Sequence, residues 1–546
     1  MNAPQTQTRT QTDARSPVNI ESAAPSRSFI PSFTAAETRN IIFYIIGIMC
    51  YKFALESFNG TIKALALDRL AKAEKYTWTG YLDGFNQAAQ CIGSILIAPL
   101  VKRFPTRTVL AAAVAVFSVV ASLGMIIEVA TGGKTPQQSS TGKAIAGDWN
   151  PRIIIGIFAL AGISHGMVEL IRRVIPADIV GGNVMKLKRM DATVHIMYEV
   201  AGTGGAFFAT FMALRMGKAY APIATPIGFF FAALFWSRIH VEPITASALS
   251  ALEAREQRRH GNVVFNVAKD IVASFASFGV SIVEGAKIIF GNRKFSWLIL
   301  GYSLPLVLHR YLENGLAANF SSLVLKESAY GSILVGGSNF GELCGAAFVF
   351  LFTNAIRTPL PWLRLDAVTL SIGWAFYKRT PEGFGVSPLA TAWIMAAILV
   401  PVSFGWAAGD VSLSAFVQSH VSRLKRKSSV SPLGSVMAFL YCTYIVIYAI
   451  ANPVIGKWLD NMVKDETKLA GGNAKIGELA AAEQYFKIIG GILFSCLGVV
   501  IFAATFLPKG SWAFNPSLEE DYPQHHDEAE DEYDPNYKAK AIETIG

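Results

Sequence analysis

Two short stretches place ionisable side chains inside apolar segments. Lys52 and Glu56 lie four residues apart in the first long apolar run, and this spacing puts them on one helix face, where they can pair. In the second half His309, Arg310 and Glu313 form a related group, with His309 again four residues before the glutamate. Ionisable groups at membrane depth are costly and usually face a bundle interior or a water-filled cavity. We therefore expect Glu56 and Glu313 to bind a proton or a substrate.

Further polar residues fall within apolar runs and complete the predicted set for substrate binding or proton coupling: Lys52, Asp83, Asn86, His309, Arg310, Asn339, Glu342 and Asp410. A carboxyl group in a low-dielectric cavity can take up and release protons near neutral pH. Glu199 is placed near the inner end of its apolar run, where it could be interfacial.

Some of these charges also have a structural interpretation. Glu169 precedes Arg172 and Arg173 by three and four residues, which predicts an ion pair that anchors the fourth span at the cytoplasmic border. The Lys52–Glu56 pair could likewise be a static latch near the outer rim.

The composition indicates a polytopic membrane protein. The chain is 52% hydrophobic and 16% charged, with a mean hydropathy of +0.38, whereas soluble domains carry about 25% charged residues. Its charges fall between apolar runs of roughly 18 to 25 residues, the length that crosses a bilayer as a helix. The net charge of +9 then belongs to cytoplasmic loops and lipid headgroups, so we expect no nucleic-acid partner.

Motifs of soluble chemistry are missing from the sequence. It contains no Walker phosphate loop, no His-Glu-x-x-His and no Gly-x-Ser-x-Gly, so we predict neither an enzyme nor a machine driven directly by ATP. The five cysteines lie in apolar runs without metal-ligand spacing, which favours small buried side chains. We expect no cofactor and no bound metal.

The apolar runs divide the chain into two similar halves. We predict a disordered cytosolic arm at 1–39, six spans at 40–239, a central cytosolic loop at 240–294, six spans at 295–509 and an acidic cytosolic tail at 510–546. The later part of the central loop is expected to form an amphipathic helix on the inner membrane surface. Lysines and arginines in the short loops place both termini in the cytosol.

The halves also share short sequence echoes. Gly84-Phe85-Asn86 followed by Cys91 matches Gly337-Ser338-Asn339 followed by Cys344 at the same spacing. An even number of spans in each half predicts a parallel repeat, related by an axis along the membrane normal. Glycines in these runs are expected to allow close helix packing.

This layout resembles the major facilitator superfamily. In that family a basic Gly-x-x-x-Asp-Arg-x-Gly-Arg motif joins spans two and three; here Arg103 and Arg107 keep the basic character, while Lys102 replaces the Asp and Pro105 the Gly. The Gly-Pro motif of the family's exporters is replaced by glycines at 202, 204 and 205 without the proline. The resemblance implies an all-α transmembrane fold of twelve helices, in two six-helix bundles related by a pseudo-two-fold axis along the membrane normal. The motifs are degenerate, and the long tails without a signal peptide suggest a fungal-type member.

These observations lead to one preferred function and two alternatives. We expect a monomeric secondary active transporter that moves a small organic solute by alternating access, coupled to protons. It would lie in the lipid bilayer of the plasma membrane or of an organelle such as the vacuole. The alternatives are an inorganic or metal-ion carrier of the same architecture, and a non-transporting membrane sensor or scaffold that kept the fold.

Overall fold

The computed structural model describes residues 33–70, 74–101, 104–172, 175–180, 184–240, 263–352, 356, 358–421 and 432–516. These residues are helical apart from their loops and one isolated antiparallel bridge between Lys134 and Ile145. Most of the acidic tail, most of the predicted N-terminal arm and the side chains of Lys102, Arg103 and Arg173 lie outside the described residues.

The helices of the first half are α1 Ala35–Arg69, α2 Lys75–Val101, α3 Thr106–Ala130, α4 Ile153–Ile171, α5 Ile175–Val180, α6 Val184–Met216 and α7 Ala224–Ser237. Helix α1 begins before the expected boundary at residue 40. Thr34 and Glu37 form a capping box there, in which the Thr34 hydroxyl accepts from the Glu37 backbone N–H at 3.2 Å and the Glu37 carboxylate accepts from the Thr34 backbone N–H at 2.7 Å. This reciprocal pairing satisfies two N–H groups at the helix start.

The helices from the central linker onward are α8 Val263–Gly291, α9 Arg293–Ser296, α10 Leu304–Tyr311, α11 Ala317–Leu323, α12 Gly331–Phe352, α13 Leu360–Thr369, α14 Pro381–Phe384, α15 Pro388–Val421, α16 Pro432–Leu469, α17 Ala474–Tyr485 and α18 Phe494–Ala504. π-Helical turns at Ile299–Ser303 and Leu312–Leu316 lie before and after α10. A third, Phe486–Leu493, joins α17 to α18. Such turns carry one more residue than an α-helical turn and often occur at functional sites.

The protein is a multi-pass membrane protein. Within the described residues, nine helical segments are long and apolar enough to cross a membrane. Four of the expected spans fall outside that group. Helix α7 is short, α6 begins with a charged turn, the run from α9 to α11 is divided by π-turns, and α13 has only ten residues before it changes to a 3-10 helix. Helix α8 lies in the central linker, where an amphipathic helix was expected. Its segment Ala268–Gly291 belongs to the nine, so its placement on the membrane surface stays a prediction.

Each half has its own hydrophobic core. Tyr44, Phe229 and Trp236 are fully buried in the first core, and Trp297 and Phe320 in the second. The two halves meet along α2 with α16 and along α6 with α12, while α8 packs against α16 and α2.

Glycines allow close helix packing within and between the halves. A Cβ on Gly166 of α4 would lie 1.9 Å from the Gln90 carbonyl oxygen of α2, so any side chain there would force the two helices apart. Gly84 faces Ala449 of α16 in the opposite half, whereas Gly337 faces Ala396 of α15 in its own half. The two echoed stretches therefore do not occupy equivalent positions, and the sequence match between them was wrong in register.

Contacts between the halves are dense at the end of the molecule where α1 finishes and α2 begins. The Ser328 hydroxyl donates to the Ala64 carbonyl at 3.0 Å and to an Asp68 carboxylate oxygen at 2.9 Å. The Lys218 ammonium lies 2.6 Å from both Asp68 and Glu327. These bonds close one end of the interface between the halves. The expected orientation makes this the outer end.

Candidate functional site

The Lys52–Glu56 pair lies midway along α1 and points toward α6. The Lys52 ammonium is 2.5 Å from a Glu56 carboxylate oxygen, and the two side chains are only 9% and 12% exposed. The ammonium also lies 4.5 Å from the centre of the Tyr198 ring. A Cβ on Gly202 would stand 2.5 Å from the Lys52 Cε, so the glycine leaves room for the lysine. The pair is in the interior of the molecule, which argues against a latch at the rim.

The matching group of the second half is built around the π-turn Leu312–Leu316. Arg310 Nη1 lies 3.1 Å from Glu313 Oε2, and the Ser338 hydroxyl of α12 donates to Glu313 Oε1 at 2.8 Å. Ser338 also shares a hydrogen bond of 2.7 Å with Ser403 of α15. The Arg310 side chain remains 48% exposed while Glu313 is 7% exposed, so the arginine can contact a solute and the glutamate is held in place.

His309 does not pair with Glu313. Its Nε2 lies 2.7 Å from Asp366 Oδ1 in α13, and its ring stacks on Trp406 at 5.0 Å. The expected parallel with Lys52 and Glu56 is therefore wrong. His309 instead turns toward Asp366 of another helix, and Arg310, three residues before Glu313, is near enough on the same helix to pair with it.

Glu199 and Glu342 complete a group of charges between the halves. Glu342 lies within electrostatic range of Glu199, Glu313, Arg310 and Lys52. Glu199 is 3% exposed, which corrects the expected interfacial position. We call Lys52, Glu56, Glu199, Arg310, Glu313 and Glu342 the central charge cluster. Its members come from α1 and α6 of the first half and from α10, the π-turn and α12 of the second.

Asp83 lies beside this cluster, at the contact of α2 with α16. Its Oδ1 is 2.9 Å from the Lys63 ammonium, and its Oδ2 accepts from the Asn452 amide at 3.3 Å. Lys63 also interacts electrostatically with Glu313 and Arg310.

Asn86 and Asn339 have different environments. The Asn86 amide donates to the Phe158 carbonyl at 2.7 Å and joins α2 to α4 within the first half. Asn339 Nδ2 is buried, has no hydrogen-bond partner among the described residues, and lies 3.5 Å from the Cβ position of Gly202 in α6. Only Asn339, one helical turn before Glu342, faces the interface between the halves.

Asp410 lies apart from the central charge cluster. It accepts a hydrogen bond of 2.8 Å from the Tyr302 hydroxyl, and Tyr302 stacks on Trp406 with ring centres 5.7 Å apart. This contact joins two helices of the second half.

Comparison with known proteins gives similarity in structure alone. No family model matches the chain, and no curated protein matches its sequence. A D-xylose-proton symporter matches 88% of this chain and 98% of its own with a TM-score of 0.54 at 13% identity. The xylose transporter XylE from E. coli, partially occluded and inward open, matches 87% and 98% with a TM-score of 0.52 at 14% identity. A structure of proton dependent oligopeptide transporters matches 86% and 99% with a TM-score of 0.52 at 13% identity.

The chain has the major facilitator fold. The expected all-α transmembrane architecture of two helix bundles is thereby confirmed. The three similar structures are transporters, and at 13–14% identity their likeness establishes the fold and nothing finer.

In this fold the Glu169–Arg172 pair connects to the central charge cluster. Arg172 Nε donates to Glu169 Oε2 at 2.6 Å, and the Tyr198 hydroxyl donates to Glu169 Oε1 at 2.8 Å. The guanidinium lies 4.2 Å from the Tyr198 ring centre, and the ammonium of Lys52 also lies over this ring. Tyr198 thus links the two ion pairs. The predicted third member, Arg173, lies outside the described residues.

Sequence reasoning missed Lys63, Asp366 and Tyr198 as members of the polar network, and it placed Glu199 at the membrane interface instead of in the interior. Lys63 and Asp366 were not expected to lie inside the molecule, since their partners come from other helices. Glu199 lies in an apolar run, and this is the same indication that identified Glu342 as a site residue.

Proposed function

We propose that this protein is a secondary transporter that moves a small organic solute by alternating access. One observation carries the proposal: charged side chains from both halves meet in one cluster at the interface between the halves. Alternating access in this fold is a movement of one bundle against the other around such a site. A sensor or scaffold has no need of these buried acids, which are expensive at membrane depth.

The ion pairs of the cluster give the solute its binding groups. Arg310 offers a half-exposed guanidinium, which binds carboxylate or other polar groups through its planar set of donors. Glu313 holds that guanidinium in position, and Ser338 holds Glu313. On the other side of the interface, Lys52 and Glu56 present a second pair of opposite charges. A solute that contacts both pairs would draw the halves together.

Proton coupling is the finer part of the proposal. The similar proteins include a D-xylose-proton symporter and proton dependent oligopeptide transporters. The central charge cluster of this chain contains four glutamates, and a carboxyl group in low dielectric can exchange protons near neutral pH. We further propose that the protein works as a monomer in the plasma membrane or in an organelle membrane, with both termini in the cytosol.

Reconstitution into sealed vesicles tests the proposal. Purified full-length protein would be screened against sugars, amino acids, peptides and nucleosides with and without a pH gradient, and flux of at least one class is expected. Glu56→Gln and Glu313→Gln should each lower that flux about tenfold or more, because a hydrogen bond to a charged group contributes about 1.5–3 kcal/mol and 1.36 kcal/mol is a factor of ten.

Glu382→Gln is the matched control, since Glu382 is exposed on the short helix α14. Wild-type flux in both glutamine variants would refute the assignment of the site. An absence of flux for every class, in protein that is monodisperse and helical, would refute the transport function.

A metal-ion carrier has less support. Within the described residues, no group of three or more His, Cys, Asp and Glu side chains could hold a metal ion, and carboxylate or imidazole sites for divalent metals need several such ligands.

A further inference from the structure

Four ion pairs occupy the interior around the central charge cluster, and two acids are left over. The pairs are Lys52–Glu56, Lys63–Asp83, Arg172–Glu169 and Arg310–Glu313. Among the described residues, Glu199 and Glu342 have no cation of their own. Each side of the interface contributes one of them, Glu199 from α6 and Glu342 from α12.

The two leftover acids are neighbours. Phe207 of α6 lies against Gly336 of α12, and Gly202 lies against Asn339. The two helices therefore run antiparallel along this contact, and Glu199 and Glu342 come next along it. Glu199 Oε2 is buried and has no hydrogen-bond partner among the described residues, and neither has the nearby Asn339 Nδ2. Because α6 and α12 pack against each other with Gly202 opposite Asn339, the carboxyl groups one turn away on each helix lie at the same contact.

The cations that face these two carboxylates, Lys52 and Arg310, are already paired with Glu56 and Glu313. Two neighbouring carboxylates without a cation of their own do not both stay ionised in a low-dielectric interior, and the stable arrangement is a pair that holds a single proton. We propose that Glu199 and Glu342 share one proton across the interface between the halves and that this proton is the coupling ion. The inference rests on the proposed transport function and assigns its coupling site. It also assigns the coupling proton to this pair instead of to Glu56 or Glu313, because each of those two carboxylates is neutralised by a cation.

The charges that face the pair decide where its proton can go. The charged groups are Lys52 and Glu56 on α1, Arg172 after α4, Arg310 on α10 and Glu313 in the π-turn, and the titratable phenol of Tyr198 on α6 joins them. On release the carboxyl O–H bond breaks, the proton passes to water on the partly exposed side of Glu342, and two carboxylates remain. Repulsion between them pushes α6 and α12 apart, while Arg310 and Lys52 attract them. Proton loss thus favours separation of the halves along this contact.

Infrared difference spectroscopy of the full-length protein in lipid nanodiscs tests the pair without any solute. As the pH is raised, the wild type should lose the band of one protonated carboxyl group. Glu342→Gln removes the like charge, so Glu199 should ionise beside Lys52 and the band should be absent. Glu199→Gln is the second variant and should abolish the band in the same way. Glu382→Gln, on the exposed helix α14, should leave it unchanged.

A band that persists in both variants would overturn the shared proton. Sodium chloride and choline chloride would be compared at constant pH. Loss of the band in sodium chloride alone would mean that the pair binds an inorganic cation, and this result would also overturn the shared proton. Flux in vesicles separates this inference from the proposed function. Transport whose dependence on the pH gradient survives in Glu199→Gln and Glu342→Gln would refute the coupling site alone, whereas lack of all transport in the wild type would refute the proposed function.

Discussion

Asp460 of α16 caps the start of α2 in the opposite half through Thr77. One Asp460 carboxylate oxygen accepts from the Thr77 backbone N–H at 2.8 Å and from the Thr77 hydroxyl at 2.6 Å, and the other accepts from the Tyr76 backbone N–H at 3.1 Å. The first N–H groups of a helix have no partner within the helix, and a negative charge there interacts favourably with the helix dipole. The closed end of the molecule therefore depends on a cap that crosses the interface.

Asp460→Asn should loosen the closed end. Loss of the charged cap is expected to cost about 1–2 kcal/mol, the usual cost of losing an N-cap, and this free energy would shift the population toward an open outer end roughly 5–30-fold. Spin labels on Lys134→Cys and Glu382→Cys, in a background without the native cysteines, report the separation of the two halves at this end. The population with longer distances should grow.

Asp465→Asn is the matched control for this change. Asp465 lies on the same helix and is exposed. The distance distribution between the spin labels in Asp465→Asn should therefore equal that of the wild type. An unchanged distribution in Asp460→Asn would mean that the cap does not hold the halves together.

Acid should loosen the same end through Glu74. The side-chain hydrogen bond from Lys457, across the interface, lowers the pKa of Glu74 below its usual range. A carboxylate whose pKa is lowered in the closed state stabilises that state above its ordinary pKa, and this contribution is lost as the pH falls through the lowered value. Glu74→Gln should therefore reduce the acid dependence of the spin-label distance. High salt should weaken the effect in the wild type, because both side chains are at the surface. Equal acid dependence in the variant and the wild type would contradict this role.

Local spacing predicted part of the site. Lys52 and Glu56, four residues apart in a regular helix, pair as expected. The same rule failed for His309 and Glu313, because His309 pairs with Asp366 on another helix and Arg310 takes its place beside the glutamate. The membrane architecture was predictable for a simpler reason: the length of an apolar run sets whether a helix can cross a bilayer.

Contacts between distant segments could not be predicted. Asp366 pairs with His309 and Asp460 caps α2, and in both cases the partner lies on a helix far away in the sequence. No periodicity within one helix encodes such a contact, since it depends on how the helices pack. For the same reason the sequence does not place Glu199 in the central charge cluster, because its position there depends on the packing of α6 against α12.

Asp83→Asn should destabilise the whole protein. It would leave the Lys63 ammonium buried without its carboxylate, and breaking one side of a buried ion pair costs about 3–5 kcal/mol. Chemical unfolding of the purified protein in detergent measures the change. The double variant Lys63→Met with Asp83→Leu removes both charges and should recover most of the loss, since apolar replacement of a buried pair is often neutral. If the double variant were as unstable as Asp83→Asn, the loss would come from packing instead of the unpaired charge.

Adjacent glycines in α6 offer a matched test of how closely α1 and α6 approach. A Cβ on Gly205 would stand 2.3 Å from the Phe53 backbone oxygen of α1, whereas a Cβ on Gly204 would stand 3.6 Å from the end of the Phe53 ring. Gly205→Ala must therefore move a backbone and should lower the free energy of unfolding by about 1–3 kcal/mol, the usual cost of overpacking. Gly204→Ala meets ordinary contact distance and should gain up to about 1 kcal/mol from helix propensity. Unfolding in detergent compares the two. Equal stabilities would mean that α1 can shift away from α6 at little cost, and Lys52, one residue before Phe53, would then not be held firmly against Tyr198.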